Sequence, residues 1–145
     1  MEHYTQRDQI AEVVNKLFIY TDEKQWQKLV EEIFIENVLF DMSSMGAGEA
    51  KILPSTEICA MWEKGFEGID FVNHLSGNHL ITINGERANV FAYATASHYK
   101  HAATLGKTRE FVGTYHLHLV LSKQSWKIDS FKYNLKYSTG NLTLT

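Results

Sequence analysis

Apolar residues recur at helical spacing along the first part of the chain. Ile10, Val13, Val14 and Leu17 fall at i, i+3, i+4 and i+7, which lines one face of an α-helix. Thr5 followed by Asp8 supplies a capping-box-like start, with Asp standing in for the usual Glu or Gln. The pattern restarts after Asp22 with Trp26, Leu29, Val30 and Ile33, so two short helices are predicted to meet near Tyr20-Thr21-Asp22. Val38–Met42 reads as a short strand, and residues 43–53, rich in Ser, Gly and Ala, as a mobile loop. Pro54 suits the start of a third helix, whose apolar face is Ile58, Met61, Trp62 and Phe66 and which Gly65 and Gly68 end.

Beyond residue 70 the chain turns β-branched and aromatic. Segments 71–83, 88–100, 109–121 and 125–137 read as strands, separated by turn signals at Asn84-Gly85, Leu105-Gly106-Lys107 and Ser122-Lys123-Gln124. In the last strand Trp126 and Ile128 share one parity while Phe131, Tyr133 and Leu135 share the other, which predicts a bulge near Asp129-Ser130. Helices first and a β-meander afterwards predict an α+β fold: a curved antiparallel sheet packed as a cone on three N-terminal helices. A cone has a mouth, and a small-molecule pocket is expected inside it.

Composition narrows the function classes. The 145 residues fit one domain spanning 1–145, with 44% apolar and 21% charged residues. A net charge of -3 argues against nucleic-acid binding, which needs clustered cations. The one cysteine, Cys59, forms no internal disulfide and suits a reducing compartment. The polar stretch Met1–Gln9 is no signal peptide, and no apolar run is long enough for a membrane span. A cytoplasmic protein is the resulting expectation. Gly46-Ala47-Gly48 neither follows a clear strand nor opens a helix, so no phosphate loop is present.

Five positions carry candidate chemistry. Asp22, with Gln25 three residues on, fits an N-cap of the second helix; its carboxylate also stands where it could orient a base. His74 lies mid-strand, where a pocket-facing imidazole can move protons near neutral pH or simply be satisfied by a local partner. His98 ends a strand whose even positions are Ala88, Val90, Ala92, Ala94 and Ala96, a small-residue face that leaves room for a ligand or for close helix packing. His116 and His118 share one strand face and could chelate a metal with His98 or His101, but Ser122 stands where a downstream carboxylate is needed, so no metal is expected. A two-residue turn at Asn84-Gly85 would pair His74 with Thr95 and turn His74 and His98 to opposite faces. A site shared by both histidines requires an odd loop or another bulge, pairing His74 with Ala96.

Tyr20-Thr21-Asp22, Trp26, Val38-Leu39-Phe40-Asp41, Met61-Trp62 and the closing Trp126-Lys127-Ile128 resemble the nuclear-transport-factor-2-like superfamily, and within it the SnoaL-like (polyketide-cyclase-like) domains. The site residues are similar to those of scytalone dehydratase. On that resemblance Asp22 would orient His74, and His74 and His98 would share the acid and base roles. The water-holding tyrosines of that family are replaced here by Thr21 and Met42, and its Ser and Asn by Thr114 and His116. Substrate contacts are carried over to Tyr20, Trp62, Thr114 and His116. The resemblance implies a cofactor-independent lyase or isomerase acting on a small apolar cyclic or polyketide-like compound. The alternatives are a non-catalytic binder of hydrophobic ligands and a dimeric interaction module. A homodimer through the outer sheet face is implied under each, and the module reading expects Phe91, Phe111, Leu117 and Leu119 to be covered by the partner.

Overall fold

Thr5 closes the first helix as expected: its hydroxyl accepts from the Asp8 backbone N–H, and the Asp8 carboxylate accepts from the Thr5 N–H. In the computed structural model, which describes residues 3–145, helix α1 runs Gln6–Asp22 and buries Ile10, Val14, Leu17 and Phe18. Met1 and Glu2 of the polar N-terminal stretch lie outside the described residues. Asp22 does not cap the next helix. It is the last residue of α1, and a left-handed Lys24 (φ 56°) makes the turn. Helix α2 (Trp26–Lys28) opens at Gln25 without a side-chain cap and passes into a π-helical turn, Leu29–Ile33. The carboxylate of Asp22 is therefore left free for another partner.

Strand β1 covers Phe34–Asp41, starting earlier than its apolar run suggested because polar Glu36 and Asn37 interrupt the pattern. The segment expected to be a loop holds a single 3-10 turn, Ser43–Met45, and a short edge strand β2, Lys51–Pro54. Only Leu53 of β2 is buried, too little alternation to announce a strand. Helix α3 (Ser55–Gly65) follows directly, with Pro54 at its N-cap.

Strands β3 (Phe71–Asn84), β4 (Arg87–Tyr99), β5 (Thr108–Ser122) and β6 (Ser125–Gly140) form the antiparallel meander. The full sheet has the order β2-β1-β6-β5-β4-β3. It is mixed rather than wholly antiparallel, because β1 pairs parallel with β6. That contact joins distant parts of the chain, and no turn signal marks it.

Register decides which side chains meet. The β3–β4 hairpin closes on a two-residue turn with Asn84 opposite Arg87, the geometry that by itself would separate the two histidines. A bulge between Gly77 and Leu80 adds one residue to β3, with Asn78 left-handed (φ 55°), and brings His74 opposite Ala96. A second bulge, at Asp129, lets Ile128 and Phe131 both face inward, as the parity change implied. The inner face carries Val90, Leu117, Leu119 and Ile128 against Ile10, Leu17, Leu29 and Ile58 in one buried cluster. Each such aliphatic side chain is worth about 1.5–3 kcal/mol relative to exposure.

Odd positions of β4 point outward, but odd positions of β5 point inward, since Val90 opposes Leu117 and Ala96 opposes Phe111. Leu117 and Leu119 are thus core and Phe111 faces inward; of the four residues expected on the outer face, Phe91 alone is there. After Gly140 (φ 89°) the chain folds back, and Leu144 packs on Ile69 and Val72 beside Phe66.

Candidate active site

Ala96 on the inner face fills little space, and the aromatic side chains around it enclose a cavity of about 320 Å³. Helix α1 contributes Leu17, Phe18 and Thr21 to it, and α3 contributes Trp62. The sheet contributes His74, His98, Arg109, Tyr115 and Tyr133. The lining is largely hydrocarbon, with a few ionisable groups converging on it, the usual makeup of a small-molecule site.

Asp22 and His74 meet at the wall of this cavity. The His74 backbone N–H donates to Asp22 Oδ2 at 2.9 Å, and ring Nδ1 lies 2.5 Å from Oδ1. Both side chains are largely buried, at 9% and 11% exposure. A carboxylate only accepts, so Nδ1 carries a proton, and in the neutral ring the Nε2 lone pair is left available. Phe18 stacks on the imidazole at 5.3 Å between ring centroids and fixes its plane.

His98 is held differently. Arg109, directly opposite it across the β4–β5 pair, donates from Nε to His98 Nδ1 at 3.0 Å. A neutral His98 therefore carries its proton on Nε2. Burial first, then the positive charge of Arg109 and the neighbouring His74, push its pKa down to about 4. Phe66 and Phe111 flank the ring, each at 5.5 Å. Arg109 also donates from Nη1 to the Leu142 carbonyl, so the C-terminal turn braces it. Burial raises the Tyr133 phenol to about 12 and pushes Tyr115 up as well, so both remain hydrogen-bond donors at neutral pH.

The sequence profile of the SnoaL-like domain matches residues 2–132. The chain belongs to the SnoaL-like domain family. No curated protein sequence matches it. Its structure is similar to that of the Kfla4162 protein of Kribbella flavida, with TM-score 0.89 and 23% identity over 99% of this chain and 98% of that one. It is also similar to a proposed scytalone dehydratase of Novosphingobium aromaticivorans, with TM-score 0.81 and 14% identity over 94% and 87% of the two chains. Hexachlorocyclohexane dehydrochlorinase LinA-type3 of Novosphingobium barchaimii superposes with TM-score 0.76 at 13% identity, over 93% and 89%. At these identities the likeness is one of fold.

Within this SnoaL-like fold, His74, His98 and Trp62 line one cavity, and Asp22 holds His74 without lining it. Tyr20, Thr114 and His116 do not line it. Tyr20 sits beneath Lys28, whose ammonium lies 5.3 Å from its ring. Thr114 and His116 have outward parity on β5, opposite Tyr93 and Phe91, and His116 is exposed against the Phe91 ring at 4.9 Å. His118 also faces outward, 2.6 Å from Asp129. Among the described residues no group of three or more His, Cys, Asp or Glu could hold a metal. Among those residues no helix is long and apolar enough to cross a membrane.

Arg109 and Tyr133 were not anticipated. The signal for Arg109 is its pairing with His98, which follows once the β4–β5 register is fixed. Tyr133 follows from the parity change behind the Asp129 bulge, which puts it on the face of Phe131. Thr21, one of the tyrosine replacements, spends its hydroxyl on the Leu17 carbonyl at 2.6 Å.

Proposed function

We propose that this SnoaL-like chain is a cofactor-independent lyase or isomerase that moves a proton on a small, apolar, cyclic or polyketide-like substrate. The contact of Asp22 with His74 at the wall of an apolar cavity carries this reading. His74 Nε2 takes a proton from the carbon beside a carbonyl, and Asp22 stabilises the imidazolium through Nδ1–H. His98 donates from Nε2 to the oxygen on which charge builds, and Arg109 behind it adds a fixed positive charge. In an elimination, the proton collected by His74 passes to the departing hydroxyl, and water leaves. In an isomerisation, His74 returns the proton to a different carbon of the substrate.

The test is turnover of a panel of cyclic β-hydroxy ketones followed by their enone absorbance. The expected result is elimination above buffer that falls about 10²–10⁴-fold in His74→Ala. Elimination at an unchanged rate in that variant overturns the reading. Tight binding without turnover, tolerant of Asp22→Asn, would instead support a ligand-binding domain.

A second copy of the chain is the proposed partner of the outer sheet face. Phe71, Leu75 and Leu80 stand 70%, 71% and 68% exposed there, beside Phe91 and Tyr93 on β4. Contiguous exposed apolar surface of this kind marks an association face. Light scattering should give a dimer at micromolar concentration, and Leu75→Lys with Leu80→Lys should give a monomer. A wild-type monomer at that concentration contradicts the assignment.

A further inference from the structure

One short stretch of chain, residues 141–145, reaches His98 from two sides. After Gly140 the backbone turns back across β5. A Cβ there would stand 2.5 Å from the Thr108 carbonyl oxygen, so a glycine with positive φ (89°) makes the turn. Asn141 secures it, donating from its backbone N–H to the Thr108 carbonyl at 2.9 Å and from its side chain to the Gly106 carbonyl at 2.8 Å. The stretch then presents the Leu142 carbonyl to Arg109 Nη1 at 2.7 Å. Among the described residues no carboxylate pairs with Arg109, and its protein acceptors are this carbonyl and His98 Nδ1. Two residues on, Leu144 is 3% exposed and packs with Ile69 and Val72 against Phe66, whose ring meets His98 edge-on at 5.5 Å. Leu144 has a left-handed backbone (φ 51°), which a leucine adopts only where its surroundings hold it.

We propose that Leu144 is a positioning residue for His98: its seat beside Phe66 anchors residues 141–145, so that the Leu142 carbonyl aims Arg109 and Arg109 keeps the His98 proton on Nε2. Released from Leu142, the long guanidinium side chain can swing into water. The neutral imidazole is then free to carry its proton on either nitrogen, and with the proton on Nδ1 it cannot donate from Nε2. Burial between Phe66 and Phe111 acts most strongly on this ring, and Arg109 and His74 are the charged and titratable groups that face it. Unseating Leu144 weakens both the burial and the pull of Arg109. The inference deepens the proposed function, and rests on it, by assigning the residue that prepares His98 as its proton donor.

The experiment is nitrogen-15 NMR of histidine-labelled wild type, Leu144→Asn and Leu144→Met. Asparagine tolerates the left-handed backbone and is uncharged, so the substitution removes the apolar anchor alone. In Leu144→Asn the amides of residues 141 and 144, hydrogen-bonded in wild type, are expected to lose their protection from exchange. His98 should then show both neutral tautomers, and its titration midpoint should rise from about 4 toward 6.5. His74, held by Asp22, should keep its wild-type pattern. Leu144→Met should keep the wild-type His98 spectrum, since it refills the same seat. If Leu144→Asn does not fold, Leu144→Ala carries the same test. A His98 that keeps its tautomer and midpoint after the stretch is released, or a stretch that stays protected in the variant, overturns the proposal. So does a wild-type His98 protonated on Nδ1. The measurement uses no substrate, so His74→Ala can leave turnover unchanged and sink the proton-transfer reading while the Leu144 effect stands, and the reverse can also occur.

Discussion

The Asp22 carboxylate grips residue 74 at two points, accepting the backbone N–H on Oδ2 at 2.9 Å and holding ring Nδ1 at 2.5 Å from Oδ1. One carboxylate thus ties the end of α1 to the first part of β3 and sets the tautomer of the neutral imidazole. In Asp22→Asn the amide oxygen still accepts one of these bonds, but its NH₂ presents a donor to the other. If that donor faces Nδ1, the ring proton moves to Nε2 and the lone pair turns away from the cavity. The expected outcome is a folded protein whose kcat on an eliminated substrate falls by about 10²-fold or more, with KM little changed. Steady-state kinetics on the purified variant checks this.

Acid stability should report on His98. Its folded pKa, about 4, lies below the ordinary 6.5, so between these values the unfolded chain binds more protons. Stability due to this neutral histidine is therefore complete above pH 6.5 and is lost as the pH falls toward 4. The variant His98→Asn retains an acceptor for Arg109 without titrating. Denaturant melts should show wild type losing roughly 1–3 kcal/mol more than this variant across that window. Parallel losses would contradict the assignment.

Gly113→Ala should destabilise the protein by about 1–3 kcal/mol or more, because its methyl would lie 2.4 Å from the Asn134 carbonyl oxygen as well as 2.5 Å from the Tyr133 hydroxyl. Adding Tyr133→Phe should not restore stability, since the Asn134 oxygen is backbone and stays. Urea denaturation of the single and double variants measures both effects.

Cys59 faces the core from α3 at 3% exposure, and burial pushes its thiol up to about 11. A maleimide at about pH 7 should leave the folded protein unlabelled and modify one thiol once guanidinium unfolds it. Rapid labelling of the folded protein would show that α3 opens readily.

Much of the fold is legible in the residues. The Thr5–Asp8 cap, the Ile10–Val14–Leu17 stripe and the parity change at Asp129 each act through neighbours in the chain, and each appears where it was expected. The parallel pairing of β1 with β6 joins residues nearly a hundred apart, and the π turn at Leu29–Ile33 keeps a helical apolar spacing, so neither leaves a local trace. The site divides in the same way. Asp22, His74 and His98 carry recognisable chemistry, but their meeting depends on one bulge at Asn78, an asparagine that tolerates the left-handed backbone. Arg109, and the outward turn of Thr114 and His116, depend on the β5 register, which the long turn at Leu105-Gly106-Lys107 leaves open.

The central claim is that Asp22 holds His74 with its Nε2 lone pair ready for a substrate proton. Nitrogen-15 NMR of histidine-labelled protein at neutral pH reads the tautomer directly. The predicted spectrum has His74 protonated on Nδ1 with an unprotonated Nε2, His98 protonated on Nε2, and a changed His74 pattern in Asp22→Asn. A His74 that carries its single proton on Nε2 in the wild-type protein would contradict the account.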